Sequence, residues 1–235
     1  MKQMFLSTGK EFKEIETFEP GAWIHLVNPS QEEALKVAER FNIDIQDLRA
    51  PLDVEETSRI DVEDDYTLIL VDIPTQEERN NKSYYVTIPL GIIVTDEVVV
   101  TTCLENISLM DDFLNHRVRN FYTFMKTRFV FQILYRNAQL YLTALRSIDR
   151  QNDKLEAQLE NSTKNEHLID MMELEKSIVY LKASLKMNER IVKKLTGNAS
   201  SLKKYIEDED LLEDTLVETQ QAIEMARSEE HTSEL

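Results

Sequence analysis

At 235 residues, 42% hydrophobic and 30% charged with only 4 Gly and 5 Pro, the chain has the composition of a soluble, helix-rich globular protein, with material for one large domain or two smaller ones. Its 44 acidic and 27 basic side chains give a formal net charge of -17, which disfavours nucleic acid or an anionic lipid surface as an electrostatic partner and points to cations instead. The single cysteine, Cys103, excludes an intrachain disulfide and, with no Cys/His cluster, a structural zinc site.

The N-terminal stretch MKQMFLSTGKEF lacks the basic start and long apolar run of a signal peptide, so a cytoplasmic location is expected. No run of about 18 apolar residues, the length that spans a bilayer, occurs anywhere. QMFLST, EFKEIE and WIHLV group apolar residues over strand-like lengths, and a helix follows. Ser30 with Glu33 three residues on forms a capping box, and Ala34, Leu35, Val37, Ala38 and Phe41 supply its apolar face. A second short helix is expected from Asp44 to Arg49. DYTLILVDIP reads as a buried strand ended by Pro74, and SYYVTIPLGIIVTDEVVVTTCL as two strands joined at Thr95-Asp96-Glu97.

From about Asn120 the period becomes helical. Leu134, Ala138, Tyr141, Leu145, Ile148, Asn152, Leu155 and Leu159 form a heptad seam that breaks at Asn161-Ser162-Thr163. A second seam, Leu174, Ile178, Leu181, Leu185, Asn188, Val192 and Leu195, stops at Gly197-Asn198. Two long helices joined by a short turn pack antiparallel. Asn152 and Asn188 each either fix the register or are tolerated near a helix end. After Ser200-Ser201 a third helix carries Leu202, Tyr205, Ile206, Leu212, Leu216, Thr219, Ile223 and Ala226.

The resulting fold class is α/β: a small mixed β-sheet domain with packed helices, residues 1–118, followed by a long antiparallel helical hairpin and a third long stalk helix, residues 119–226. Residues 227–235, RSEEHTSEL, have no apolar face and match the translation of a common short-read sequencing adapter, so they are expected to be a non-native tail.

No P-loop, GxGxxG, GxSxG or HExxH occurs, so no enzyme class is indicated. A di-iron bundle needs Glu-x-x-His pairs, and His25, His116, His167 and His231 all lack a Glu three residues before them. The acidic run Glu207, Asp208, Glu209, Asp210, Glu213 and Asp214 has two readings. It is either solvated surface, or a place where Asp210, Glu213 and Asp214, one turn apart on one face, relieve their repulsion with a hydrated Mg²⁺ or Ca²⁺.

The order of elements, Trp23-Ile24-His25-Leu26, the segment Glu55 to Tyr66, Tyr84 to Thr102, and Asp214-Thr215-Leu216-Val217-Glu218-Thr219 together resemble the cytoplasmic part of the CorA family of divalent-cation transporters, over nearly all of residues 1–226. That resemblance implies a homopentamer in the cell membrane. Its cytoplasmic domains sense Mg²⁺, the transported and regulatory ion, and its last soluble helix continues into the pore. The family's Gly-Met-Asn filter and membrane helices do not occur in these residues.

In the family, Mg²⁺ between neighbouring cytoplasmic domains favours the closed state. By resemblance its stalk carboxylate is Asp210, with Glu213 one turn on. The partner position holds Ala50, so either Asp53 substitutes or the sensor is weaker or relocated. Co²⁺ or Ni²⁺ are further ions the resemblance allows, a zinc transporter of the same superfamily is one alternative, and a soluble coiled-coil interaction protein without ion transport is another.

Overall fold

The computed structural model describes residues 1–9, 11–79, 82–159, 165–197, 202 and 206–233. Strands β1 (Lys2–Thr8), β2 (Glu11–Glu14), β3 (Trp23–Val27), β4 (Arg59–Val62), β5 (Tyr66–Arg79), β6 (Lys82–Thr95) and β7 (Val99–Cys103) form one sheet in the order β2-β1-β3-β7-β6-β5-β4. Only β3 and β7 pair in parallel, so the sheet is mixed, as expected.

Successive residues of a strand face opposite sides, and each side here has its own cover. Leu68 and Leu70 of β5, with Ile24 and Val100, face helices α1 (Gln31–Phe41) and α2 (Ile45–Arg49) through Ala34, Val37, Phe41 and Leu48. Ile69 and Val71, with Trp23, Ile92 and Val99, face the other way, onto α3 (Ser108–Leu114) and the long helices α4 (Lys126–Leu159), α5 (Asn165–Thr196) and α6 (Ile206–Ser233). Beneath them Phe113, Phe121, Phe129 and Trp23 interlock, with ring centroids 4.7–6.4 Å apart.

The capping box at Ser30 and Glu33 is present in both directions, and Asp44 caps α2 through its carboxylate. Leu35, expected on the buried face of α1, is 44% exposed, because it lies one residue, about 100° around the helix, beyond Ala34. The buried stripe is the narrower set Ala34, Val37, Ala38 and Phe41.

Pro74 does not end β5 either, since the strand continues to Arg79 and pairs Pro74 with Thr87. The reason lies at the outer edge. β4 covers β5 only as far as Leu70, and Asp72 and Pro74, two and four residues on, turn their nitrogens toward that uncovered edge. An imino acid costs no ladder bond there. Past Leu70, β5 and β6 continue as a two-stranded arm against α4 and α5, burying Tyr84 and Tyr85 among Tyr141, Leu145, Leu174 and Leu181.

The uncovered edge is closed by a side chain. Asn188 of α5 accepts from the Asp72 backbone N–H (3.1 Å) and donates to its carbonyl (2.8 Å), doing for one residue what a further strand would do. Asn137 and Tyr141 of α4 donate to the same carbonyl at 2.9 and 3.1 Å. The Asp72 carboxyl sits beside the Ser58 and Ser184 hydroxyls, and burial raises its pKa above the ordinary value. Asn188 is thus tied to the sheet through both atoms of its amide. Asn152 is equally buried, but its side-chain carbonyl has no partner among the described residues.

The described members of the three predicted seams are buried or half-buried. Asn161-Ser162-Thr163, Asn198, Ser200-Ser201 and Tyr205 lie outside the described residues, as do the side chains of Leu159 and Ile206. Among the described residues, no helix is long and apolar enough to cross a membrane.

Candidate divalent-cation site

Helix α6 packs on α4 and α5 with Leu212, Thr215, Thr219, Ala222, Ile223 and Ala226 buried. Helical geometry then leaves the opposite arc to solvent. That arc carries Glu209, Asp210, Glu213, Asp214 and Glu224, all exposed, around Val217, which is 62% exposed.

Asp208 belongs to the acidic run in sequence but not in space. It is 4% exposed and pairs with Arg128 at 3.2 Å, so it ties α6 to the start of α4 and is unavailable to an ion. Its backbone falls on the seam side of the helix, where an acid must find a counter-charge. The side chain of Glu207 lies outside the described residues.

Asp53 follows a 3₁₀ turn, Ala50–Leu52, which ends the α2 layer. Pro51 locks the turn onto β6: a Cβ on Gly91 would stand 2.3 Å from the Pro51 ring, so only glycine admits this approach. Asp53 is exposed, and its Oδ1 accepts from the Glu55 backbone N–H at 3.0 Å. Nearby acids are already engaged: Glu56 and Asp61 both grip Arg59, and Asp65 accepts from Asn42. Asp53, Glu55, Glu63 and Asp64 are left exposed along this edge.

Thus the structure keeps Asp210 and Glu213 together on one helix and does not bring Asp53 to them. The α2 layer that ends at Asp53 covers one face of the sheet, and α6 packs against the other. Consistent with this, no group of three or more His, Cys, Asp or Glu side chains in one copy is placed to hold a metal, among the described residues. The donors themselves are carboxylate oxygens in open solvent, which suits a hard cation that keeps much of its water.

Two buried groups near the sheet centre escaped the sequence reading. Thr101 Oγ1 accepts from Trp23 Nε1 at 2.8 Å and lies 2.8 Å from His25 Nδ1. The Thr101 hydroxyl has one proton and two lone pairs, so it takes the indole N–H and pairs with His25 Nδ1 in either neutral tautomer. Burial pushes the His25 pKa down to about 4, which keeps the imidazole neutral. The signal was present as alternation in WIHLV, where a histidine stands inside an otherwise buried strand.

Comparison with known proteins gives a consistent picture. The family model described as CorA-like Mg²⁺ transporter protein matches residues 19–234. A cobalt/magnesium transport protein CorA of Methanocaldococcus jannaschii is 26% identical over 218 residues, 87% of this chain; the chain spans 64% of that relative's length. The soluble domain of CorA from the same organism superposes with a TM-score of 0.84 at 21% identity, covering 98% of this chain and 92% of that one. The cytoplasmic domain of ZntB from Vibrio parahaemolyticus shares the fold more distantly, with a TM-score of 0.68, 9% identity, and coverage of 99% and 97%.

Proposed function

The chain belongs to the CorA-like Mg²⁺ transporter family, and from that premise we propose that it is the cytoplasmic sensing and gating region of a membrane channel for Mg²⁺, with Co²⁺ or Ni²⁺ as secondary ions. One observation carries the reading: the exposed arc of α6 gathers Asp210 and Glu213, while Asp53 stands on the opposite layer of the same copy. A site that uses all three carboxylates therefore joins two copies.

An ion held there screens acids that otherwise repel, so it favours the state in which neighbouring copies approach, and its loss favours separation. In the full-length protein, α6 leads to membrane helices and the copies form a pentamer around the pore. Residues 1–118 are the sensing domain and residues 119–226 the stalk that transmits the change.

All-oxygen donors favour Mg²⁺ over Zn²⁺, which prefers thiolate and imidazole; the distant likeness to ZntB reflects the fold alone. The test is thermal unfolding in millimolar Mg²⁺ against matched ionic strength. A ligand at a hundred times its Kd raises stability by about 2.7 kcal/mol, so an ion-specific rise that D210N and E213Q remove supports the reading. Equal melting in the two solutions would instead leave the helical hairpin as a docking arm without an ion.

A further inference from the structure

Helix α5 carries two seams. One, from Leu174 to Leu195, is buried against α4, α6 and the β5/β6 arm. The other faces solvent. Among the described residues, the exposed large apolar side chains gather on this helix more than anywhere else: Leu168, Ile169, Met172, Val179 and Tyr180 stand 52–59% exposed. Single exposed apolar residues are ordinary, whereas a row of them along one element marks a docking surface.

The spacing of that row is a heptad. Ile169, Lys176, Ala183 and Arg190 are seven apart, and Met172, Val179 and Lys186 each follow three residues after a member of that set, all of them exposed. These are the a and d positions of a coiled-coil face. Its apolar end, Leu168 to Tyr180, is about 18 Å long, and the charged positions of the seam are cations only. The acids of α5 lie off it. Asp170 is held by Lys82, Glu173 by Arg79 and Lys176, and Glu189 by Lys193, while Glu175 is half-buried. Lys186 and Arg190 make no ion pair among the described residues. In a chain of net charge -17, this strip is a local reversal of sign.

Three occupants fit it less well than a fourth. A bilayer surface suits cations that flank an apolar stripe and reach out from its sides, but Lys176 and Lys186 stand within the stripe. A second α5 would set cations against a seam whose charged positions are also cations. The acidic arc of α6 in a second copy offers Val217 as its exposed large apolar side chain, too little to cover five. A helix with apolar residues over one half and carboxylates over the other meets both demands. We propose that the outer seam of α5 docks an acidic amphipathic helix of a different protein. The partner's apolar residues lie on Ile169, Met172 and Val179, and its carboxylates on Lys186 and Arg190. The surface belongs to a different helix from Asp210 and Glu213 and does not depend on an ion there.

The experiment titrates the whole chain into a labelled synthetic helical peptide with Leu at the a and d positions of one half and Glu at those of the other. The control peptide carries Lys in place of Glu, and binding is read by fluorescence anisotropy. The native chain should bind the Glu peptide about tenfold or more tighter than the Lys peptide, K186E/R190E should reverse that order, and Val179→Asp should weaken both. All three positions are exposed, so these changes leave the fold intact. Equal binding of the two peptides, or binding of neither, overturns the proposal. So does co-sedimentation with phosphatidylglycerol vesicles that Val179→Asp abolishes, which would assign the seam to lipid. Self-association that Val179→Asp abolishes would assign it to a second copy and overturn the proposal equally.

Discussion

The side-chain amide of Asn188 meets both backbone polar groups of Asp72, at 3.1 Å from the N–H and 2.8 Å from the carbonyl. The carbonyl has other donors in Asn137 and Tyr141, whereas Asn188 serves the N–H. Replacing Asn188 with Ala should therefore cost about 1–3 kcal/mol, the penalty of an unsatisfied buried donor. Asn152→Leu should cost less than 1 kcal/mol or add stability, because that amide's carbonyl has no partner among the described residues. Urea unfolding of both variants checks the contrast, and equal losses would remove the distinction between the two seam asparagines.

The Arg128–Asp208 pair joins a half-buried arginine to a buried acid, with side-chain exposures of 22% and 5%. Arg128→Ala takes a counter-charge from the buried acid and should destabilise by about 1–3 kcal/mol. The double variant R128M/D208L should lose less, since it removes the buried acid along with the bond. A double-mutant cycle measures the coupling, and simple additivity would show that the pair carries no specific interaction.

His25 makes stability depend on acid. Its pKa is lowered from 6.5 to about 4 in the folded chain, so its contribution is fully present above 6.5 and is lost as pH falls through 4. The loss over that window is on the order of 3 kcal/mol. Asp72 works the other way: its raised value favours the folded state as it becomes protonated. In a background of H25Q, stability between pH 7 and 4 should fall less steeply than in the native chain. Identical slopes in the two proteins would assign acid sensitivity to other groups.

At α6, neutralising Asp210 and Glu213 should have opposite consequences in the two conditions. Without Mg²⁺, D210N/E213Q gains a few tenths of a kcal/mol, because like charges one turn apart repel. With Mg²⁺ it shows no ion-specific rise in Tm. D53N should reduce Mg²⁺-driven association while leaving the unfolding of the isolated copy unchanged, since Asp53 is exposed and tied to its own turn through Glu55. A variant that still associates as the native chain does would place the partner carboxylate elsewhere on that edge.

Much of this was legible because periodicity records which side of an element is buried. The seams on α4 and α5 and the capping box at Ser30 could be read residue by residue. Strand order could not, since alternation says which face is buried but not which neighbour is adjacent. Pro74 misled for a related reason: whether a proline ends a strand depends on which edge its nitrogen faces, and that edge is defined by where β4 stops. Asp208 illustrates the same limit at the candidate site. Its place in a run of acids resembles that of Asp210, and only the packing of α6 on α4 separates the paired acid from the exposed one.

The arm formed by the ends of β5 and β6 meets α5 through polar contacts at a fixed interval. Lys82 and Tyr84 reach Asp170, the Tyr85 backbone N–H donates to Ser177, and Thr87 pairs with Ser184. Those three α5 residues are seven apart and buried, a spacing of about 10.5 Å along the helix. The three contacts hold the arm at one register on α5, so a slide of the arm along the helix would break them together rather than one at a time.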